Sequence, residues 1–255
     1  MALGRLILVP NALDLGAEAQ PLSAVLPHEV LVHAARLGHW LVEDAKSARA
    51  FLKRVNESVP LAQPVQALHI VELPRPVKGR AVPSGAATPR AAEEWLAPAL
   101  EGHDIGLLSE AGLPAVADPG SAVVAAAHAA GLVVLPLPGP SSLLLALAAS
   151  GLDGQSFAFV GYLPQESTAR CQRVRELEAT SKRLAQAQIF IETPYRNAAL
   201  LASLLECAAP TTRLSISFGL TLPEGWCRTA AIAEWRRHPP ASMAGKLPAV
   251  FVLQA

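Results

Sequence analysis

The chain has 255 residues, 51% hydrophobic and 16% charged, with 21 basic and 21 acidic side chains. That is enough apolar material for one large core or two modest ones, while a net charge of zero gives no bulk electrostatic footprint for nucleic acid. The three cysteines (Cys171, Cys207, Cys227) form no C-x-x-C and are odd in number, and the seven histidines form no H-E-x-x-H, so neither a structural disulfide nor a metal site is expected.

The opening MALGRLILVP carries one arginine and an apolar run too short for a signal segment or a membrane span, so a cytoplasmic, soluble protein is expected. Leu6–Val9 reads as a first strand ended by Pro10. The loop 11–20 is not G-x-G-x-x-G, and no G-x-x-x-x-G-K-[ST] occurs anywhere. Those glycines bring backbone N–H groups onto phosphates, and their absence argues against NAD and ATP.

Val30, Leu31, Ala34 and Leu37 share one face of a helix over 27–37. A strand at 40–42 ends at Glu43-Asp44; a helix follows over 46–55, then a strand over 66–71. The Pro/Gly-rich stretch 74–89 is long for a compact domain and is expected to be a mobile loop near the substrate opening, or disordered. A helix over 91–100 leads to Ile105-Gly106-Leu107-Leu108, an apolar run between turn formers that suits a strand buried on both faces.

The stretch that follows, Ser109 to Gly120, carries Glu110 and Asp118 with Gly112, Pro114 and Pro119 around them. Strand, kinked loop and then an Ala/Val-rich helix over 121–130 is the order that places a ligand at the carboxyl end of a parallel strand. A plain connection fits the spacing equally well. Leu132–Leu135 reads as a fifth strand, and the alternation predicts a parallel sheet with right-handed crossovers. PGPSS (138–142) then breaks the chain and opens a helix over 142–150, whose free N–H groups can be capped by Ser141 and Ser142 or can hold a carboxylate.

Beyond it the style changes. Strands are expected at 157–161, 188–191, 213–218, 227–232 and 249–253, and helices at 165–187, 195–207 and 233–237. Successive strands with little helix between them predict a mixed or antiparallel sheet. The expected architecture is two α/β domains, 1–137 and 138–255, with a cleft between them.

LLSEAGLPAVADPG (107–120) resembles the SD-x-G-x-P-x-x-x-DPG segment of the tetrapyrrole methylase superfamily of S-adenosylmethionine (SAM) methyltransferases. The resemblance continues through LPLPGPSSLLLALAASGL (135–152), VGYLP (160–164) and IETPYRN (191–197), and is closest to the branch of the ribosomal-RNA cytidine 2′-O-methyltransferases. It implies a class III methyltransferase-like fold, a homodimer, and SAM held in the cleft. Carried over position by position, it implies cofactor contacts at Pro10, Ser109, Glu110, Ala111, Gly112, Pro114, Val116, Ser141, Ser142, Leu163, Glu192, Gly219 and Pro248. A sulfonium is already an activated methyl donor, so the protein needs a base only for a protonated nucleophile. Glu43, Asp44, Glu110, Asp118 and Glu192 are the candidates.

The sequence departs from that branch where T-P-x-G-N-L becomes Pro10-Asn11-Ala12-Leu13-Asp14-Leu15, E-D-T-R becomes Glu43-Asp44-Ala45-Lys46, S-D-A-G-T-P becomes Ser109-Glu110-Ala111-Gly112-Leu113-Pro114, and G-E-M-V becomes Gly245-Lys246-Leu247-Pro248. These departures fall on the substrate side more than on the Gly/Pro framework. Three readings follow: methyl transfer to a small or tetrapyrrole-like molecule, favoured by the neutral charge; transfer to ribosomal RNA through a patch of Arg75, Lys78, Arg80, Arg170, Arg173 and Arg175; and SAM binding without transfer.

Overall fold

A computed structural model describes residues 2–14, 20–74, 89–240, 243 and 247–255, the side chains of 89–93 excepted. Most of the expected loop 74–89, with Arg75, Lys78 and Arg80, lies outside the described residues, as do Leu15, Gly245 and Lys246. The chain divides into two compact units, Met1–Ser141 and Ser142–Ala255.

The first unit is built on β1 (Arg5–Leu8), β2 (His39–Val42), β3 (His69–Glu72), β4 (Ile105–Leu108) and β5 (Val133–Pro136), ordered β3-β2-β4-β1-β5. Every pairing is parallel. Strand residues alternate between two apolar layers, as a pleated strand buried on both faces requires. Ile7, Trp40 and Val42 pack with α1 (His28–Arg36) and α2 (Ala45–Ser58). Leu6, Leu41, Ile105 and Leu107 pack with α3 (Pro89–Leu100) and α4 (Ser121–Ala129). Each large side chain fully buried in these layers contributes about 1.5–3 kcal/mol. β1 therefore leaves the sheet toward one face through α1, and its neighbour β4 toward the other through α4. The two connections diverge at the carboxyl ends of β1 and β4, which makes a topological switch point.

The second unit has β6 (Phe157–Tyr162), β7 (Ala187–Glu192), β8 (Arg213–Phe218), β9 (Trp226–Ala231) and β10 (Ala249–Gln254), ordered β6-β7-β10-β8-β9. Only β6 and β7 run parallel; the remaining pairs are antiparallel, so this sheet is mixed. α6 (Ser167–Leu184) and α7 (Asn197–Cys207) cover the face carrying Phe190, Phe251 and Ile216. α5 (Ser142–Ser150) covers the face carrying Ile189, Val250 and Val252. A short α8 (Ile232–Arg237) buries Trp235, whose indole N–H donates to the Leu214 carbonyl at 2.9 Å.

The expectation of unpaired cysteines is corrected. Cys171 on α6 and Cys207 at the end of α7 form a disulfide, their Cα atoms 5.4 Å apart. An odd count excludes only complete pairing, and two helices packed side by side bring these two residues into reach. Glu206 lies beside them, but with both sulfurs in the disulfide the group offers no thiolate to a metal. No described helix is long and apolar enough to cross a membrane.

Candidate functional site

Loops from three strands meet at the switch point of the first unit. Asn11, after β1, and Gly112, after β4, exchange both backbone hydrogen bonds, at 2.9 and 3.1 Å. The Asn11 side chain completes the junction. Its amide donates to the Glu110 carbonyl at 2.9 Å and the Ser109 carbonyl at 3.3 Å, and its oxygen accepts from the Ala12 N–H at 2.8 Å. The third loop follows β5. At Gly139 an added Cβ would sit 2.2 Å from the Pro10 Cβ, so glycine alone permits this approach. At Gly112, with φ +71°, an added Cβ would lie 3.3 Å from Leu13 and 3.6 Å from the Pro140 carbonyl.

The loop between β4 and α4 is held in uncommon backbone geometry. Ala115 and Ala117 both have positive φ, 65° and 64°. Each such alanine costs on the order of 1–3 kcal/mol, a cost that persists where the surroundings enforce a shape. The small side chains leave the main chain of this loop approachable. Ser109 is buried, 3% exposed, and its hydroxyl makes no hydrogen bond of good geometry among the described residues, although it lies close enough to Asp118 to favour that carboxylate.

The five candidate bases separate by environment. Asp44 caps α2, accepting from the Ser47 N–H at 2.8 Å. Glu43 accepts from the Glu110 N–H at 3.1 Å and thereby anchors the loop. Glu192 is buried against Arg196, 2.7 Å away, and also accepts from the Thr193 N–H at 2.7 Å, which commits it to the start of α7. Asp118 differs: burial first, then the neighbouring Glu43 and Glu110 charges, push its pKa up to about 7. Glu110 is exposed beside it. Asn11, Asp14, Glu43, Glu110 and Asp118 line a groove of about 880 Å³ together with Lys46, Arg49, Lys53, Arg54 and Glu57 of α2, so cations and carboxylates are mixed along it.

Eight of the residues named from the resemblance lie in the first unit. Pro10, Ser109, Glu110, Ala111 and Gly112 sit at the junction, Pro114 is buried and Val116 exposed on the strained loop, and Ser141 is buried after the β5 loop. The others belong to the second unit, where Ser142 begins α5. Leu163 follows β6, Glu192 ends β7, Gly219 follows β8 and Pro248 precedes β10. Because β10 runs antiparallel to β7 and β8, all four fall along one edge of that sheet. The Gly219 N–H donates to the Pro248 carbonyl at 2.9 Å. At the same edge Asn197, fully buried, donates to the Leu247 carbonyl at 3.0 Å, while its own oxygen has no partner among the described residues.

Of the basic residues expected on α6, Arg175 is exposed, whereas Arg170 and Arg173 are engaged. Arg170 is buried, with its guanidinium donating to the Ser203 hydroxyl at 2.8 Å and the Gln165 carbonyl at 2.9 Å, and Arg173 pairs with Glu176 at 3.1 Å. Burial keeps Arg170 from a polyanion. The cations of α2 were missed because spacing alone does not distinguish a solvated helix face from a groove wall.

The profile of the tetrapyrrole (corrin/porphyrin) methylases matches residues 38–228, well over half of the chain. The chain belongs to the tetrapyrrole methylase family. Curated relatives include ribosomal RNA small subunit methyltransferase I of Halalkalibacterium halodurans, 42% identical over 97 residues (38% of this chain, 32% of that protein), and its counterpart in Mesorhizobium japonicum, 36% identical over 141 residues (55% and 47%). These matches span about a third to a half of the relatives' length. Among solved structures, the methyltransferase CobJ shares the fold, with a TM-score of 0.54 over 98% of this chain and 93% of that one at 21% identity. So does a conserved hypothetical protein from Aeropyrum pernix K1, with a TM-score of 0.62 over 100% of this chain and 85% of that one at 18% identity. Its parallel and mixed sheets place this member of the tetrapyrrole methylase family in the expected α/β class.

Proposed function

We propose that this tetrapyrrole methylase is a SAM-dependent methyltransferase that modifies a ribose hydroxyl of small-subunit ribosomal RNA. The observation that carries the choice of acceptor is the likeness, at 33–43% identity, to proteins named ribosomal RNA small subunit methyltransferase I. The neutral net charge favours a small or tetrapyrrole-like acceptor; the likeness to these relatives outweighs it.

The residues of the β1–β4 junction fit SAM. The cofactor carries no phosphate, and the loop has none of the glycine patterns that bind phosphates. It offers instead an approachable main chain, the buried Ser109 hydroxyl and the positive-φ Gly112. In the first unit, Pro10, Ser109 to Gly112, Pro114, Val116 and Ser141 would hold the cofactor. When bound, SAM supplies an electrophilic methyl on a sulfonium.

The chain's own residues orient the acceptor and receive its proton. Asp118 is the base in this proposal. Its pKa near 7 lets it be ionised at neutral pH while retaining proton affinity, the condition under which a general base is most effective. Glu43 fixes the loop through the Glu110 N–H and, with Glu110, raises the proton affinity of Asp118. Glu192 has a positioning role, since Arg196 and Thr193 already hold its carboxylate.

The deciding experiment incubates the protein with methyl-tritiated SAM and, in parallel, purified small ribosomal subunits, bulk RNA and a cell metabolite extract. Label in the ribosomal RNA is expected. Label confined to the extract would replace RNA with a small acceptor, and label in none would leave a SAM-binding protein.

A further inference from the structure

We infer that the Cys171–Cys207 pair, once reduced, is a zinc site. The two thiolates and the Glu206 carboxylate hold the ion, with water as the fourth ligand, so the same sulfurs either join to each other or bind metal. The site lies in the second unit and is independent of the choice of methyl acceptor.

Cys171 lies one turn into α6, and Cys207 is the last residue of α7. Val174 and Leu177 of α6 and Leu200 and Leu204 of α7 share one buried apolar cluster. That packing holds the two cysteine Cα atoms 5.4 Å apart. Glu206 is exposed beside them, and its carboxylate and the two sulfurs all lie within 4.8 Å of one another. A disulfide has no use for this carboxylate. Nor is it held elsewhere, since it makes no hydrogen bond or ion pair among the described residues. Arg236, at the same end of α7, instead donates to the Leu205 and Ala208 carbonyls at 2.6 and 2.8 Å. Arg175, exposed one turn beyond Cys171, does not pair with Glu206 either.

A dithiol opens the disulfide by exchange. One of its thiolates attacks a cysteine sulfur, and its second thiol then displaces the mixed disulfide. It leaves as a disulfide, having passed two electrons and two protons to Cys171 and Cys207. Both cysteines are half-buried rather than sealed, which leaves them open to exchange. Bonded sulfurs sit about 2 Å apart, whereas two thiolates at about 2.3 Å from a tetrahedral zinc sit about 3.8 Å apart. Movement of about 1 Å per sulfur covers the difference, and side-chain rotation supplies it with both helices in place. Thiolate and carboxylate are both zinc ligands, and three protein ligands with water in the fourth position is a coordination zinc takes. Magnesium and calcium prefer oxygen and would not take the thiolates. Binding also relieves the repulsion among three adjacent anions and displaces the thiol protons, because a free thiol ionises at about 8.5.

The test reduces the whole protein with dithiothreitol and removes the reductant by anaerobic gel filtration. Zinc is titrated against a chromophoric chelator, and cobalt in a parallel titration reports thiolate ligation by its charge-transfer absorption. Reduced wild type should take up a single zinc per chain with release of about two protons at neutral pH. Zinc should raise the melting temperature of the reduced protein and leave that of the oxidised protein unchanged. Glu206→Gln keeps the disulfide, so its fold is checked in the oxidised state; once reduced it should bind zinc at least about tenfold more weakly. Cys171→Ser should lose the cobalt absorption, whereas Cys227→Ser, which removes the free cysteine, should match wild type. Absence of zinc uptake by reduced wild type, equal uptake by the oxidised protein, unchanged affinity in Glu206→Gln, or cobalt absorption that persists in Cys171→Ser would overturn the inference.

Discussion

Asn11 and Gly112 tie together the two loops whose strands leave the sheet in opposite directions. Their backbones exchange hydrogen bonds at 2.9 and 3.1 Å, and the Asn11 amide holds the Glu110 carbonyl. Asn11 is only 7% exposed, so its replacement by alanine strands carbonyl groups away from water. Asn11→Ala should cost about 1–3 kcal/mol in stability and weaken SAM binding as the Ser109–Gly112 main chain loosens. Urea denaturation and calorimetry check the two effects separately. A variant with full stability and full affinity would show that the side chain does not hold the loop.

Gly112 is under two constraints. Its φ of +71° disfavours any side chain, and a Cβ would meet Leu13 at 3.3 Å. A β-branched residue suffers both, so Gly112→Val should lose roughly 1–3 kcal/mol of stability and at least about tenfold in SAM affinity, equivalent to ~1.4 kcal/mol. Gly112→Ala should lie between valine and wild type. Equal SAM affinity across the three proteins would remove this loop from the cofactor site.

The strand and loop that carry the candidate site were legible in sequence, for a physical reason. β4 needed only an apolar run bounded by Asp104 and Ser109, and its expected limits are the observed ones. The Pro/Gly-rich stretch after it could be neither helix nor strand. Boundaries slipped where local geometry overrides pattern. β3 begins only at His69, because Pro64 starts a 3₁₀ turn over Val65–Ala67. α6 ends at Leu184 because Ala185 turns left-handed, with φ 48°. The roles of the acids were not legible at all. Glu43 and Asp44 are adjacent in sequence, yet one anchors a neighbouring loop and the other caps a helix. Only folding places Glu43 and Glu110 around Asp118.

The raised pKa of Asp118 makes stability depend on pH. In the unfolded chain it ionises near 3.8, and in the folded protein at about 7. Between these values the folded state holds a proton that the unfolded state has lost. Stability therefore falls as pH rises through that window and levels off above it. Asp118→Asn should abolish this slope, so its melting temperature relative to wild type should be higher at pH 8 than at pH 5. In its proposed role of base Asp118 must be ionised, so the wild-type rate should climb through pH 7 to a plateau. The variant should lose about 10²–10⁴ in rate. An Asp118→Asn enzyme with the wild-type pH profile would assign the proton to another group.

The Cys171–Cys207 disulfide closes a loop with a sequence separation of 36. Closing such a loop restricts the unfolded chain by about 4 kcal/mol in the chain-entropy model, with native-state strain subtracting from it. Dithiothreitol should therefore lower the melting temperature of the wild type and leave that of Cys171→Ser unchanged. Insensitivity of the wild type would show that the two thiols are unpaired in solution.

The uncovered end of the second sheet bears on assembly. α5 lies across β8, β9 and β10, leaving β6 at the edge of that face. Phe157 and Phe159 stand in register with Ala187 and Ile189, so they point to the α5 side, where they remain 41% and 38% exposed. Adjacent aromatic residues exposed on an edge strand favour association, because burying them removes apolar surface from water and an open edge invites pairing. The occupant proposed here is a second copy of this chain, giving a homodimer. Sedimentation at micromolar concentration should show the dimer, and Phe157→Asp/Phe159→Asp should convert it to monomer with SAM binding retained in the folded protein. A wild type that sediments as a monomer would refute the dimer; a dimer that survives the double substitution would move the interface to another face.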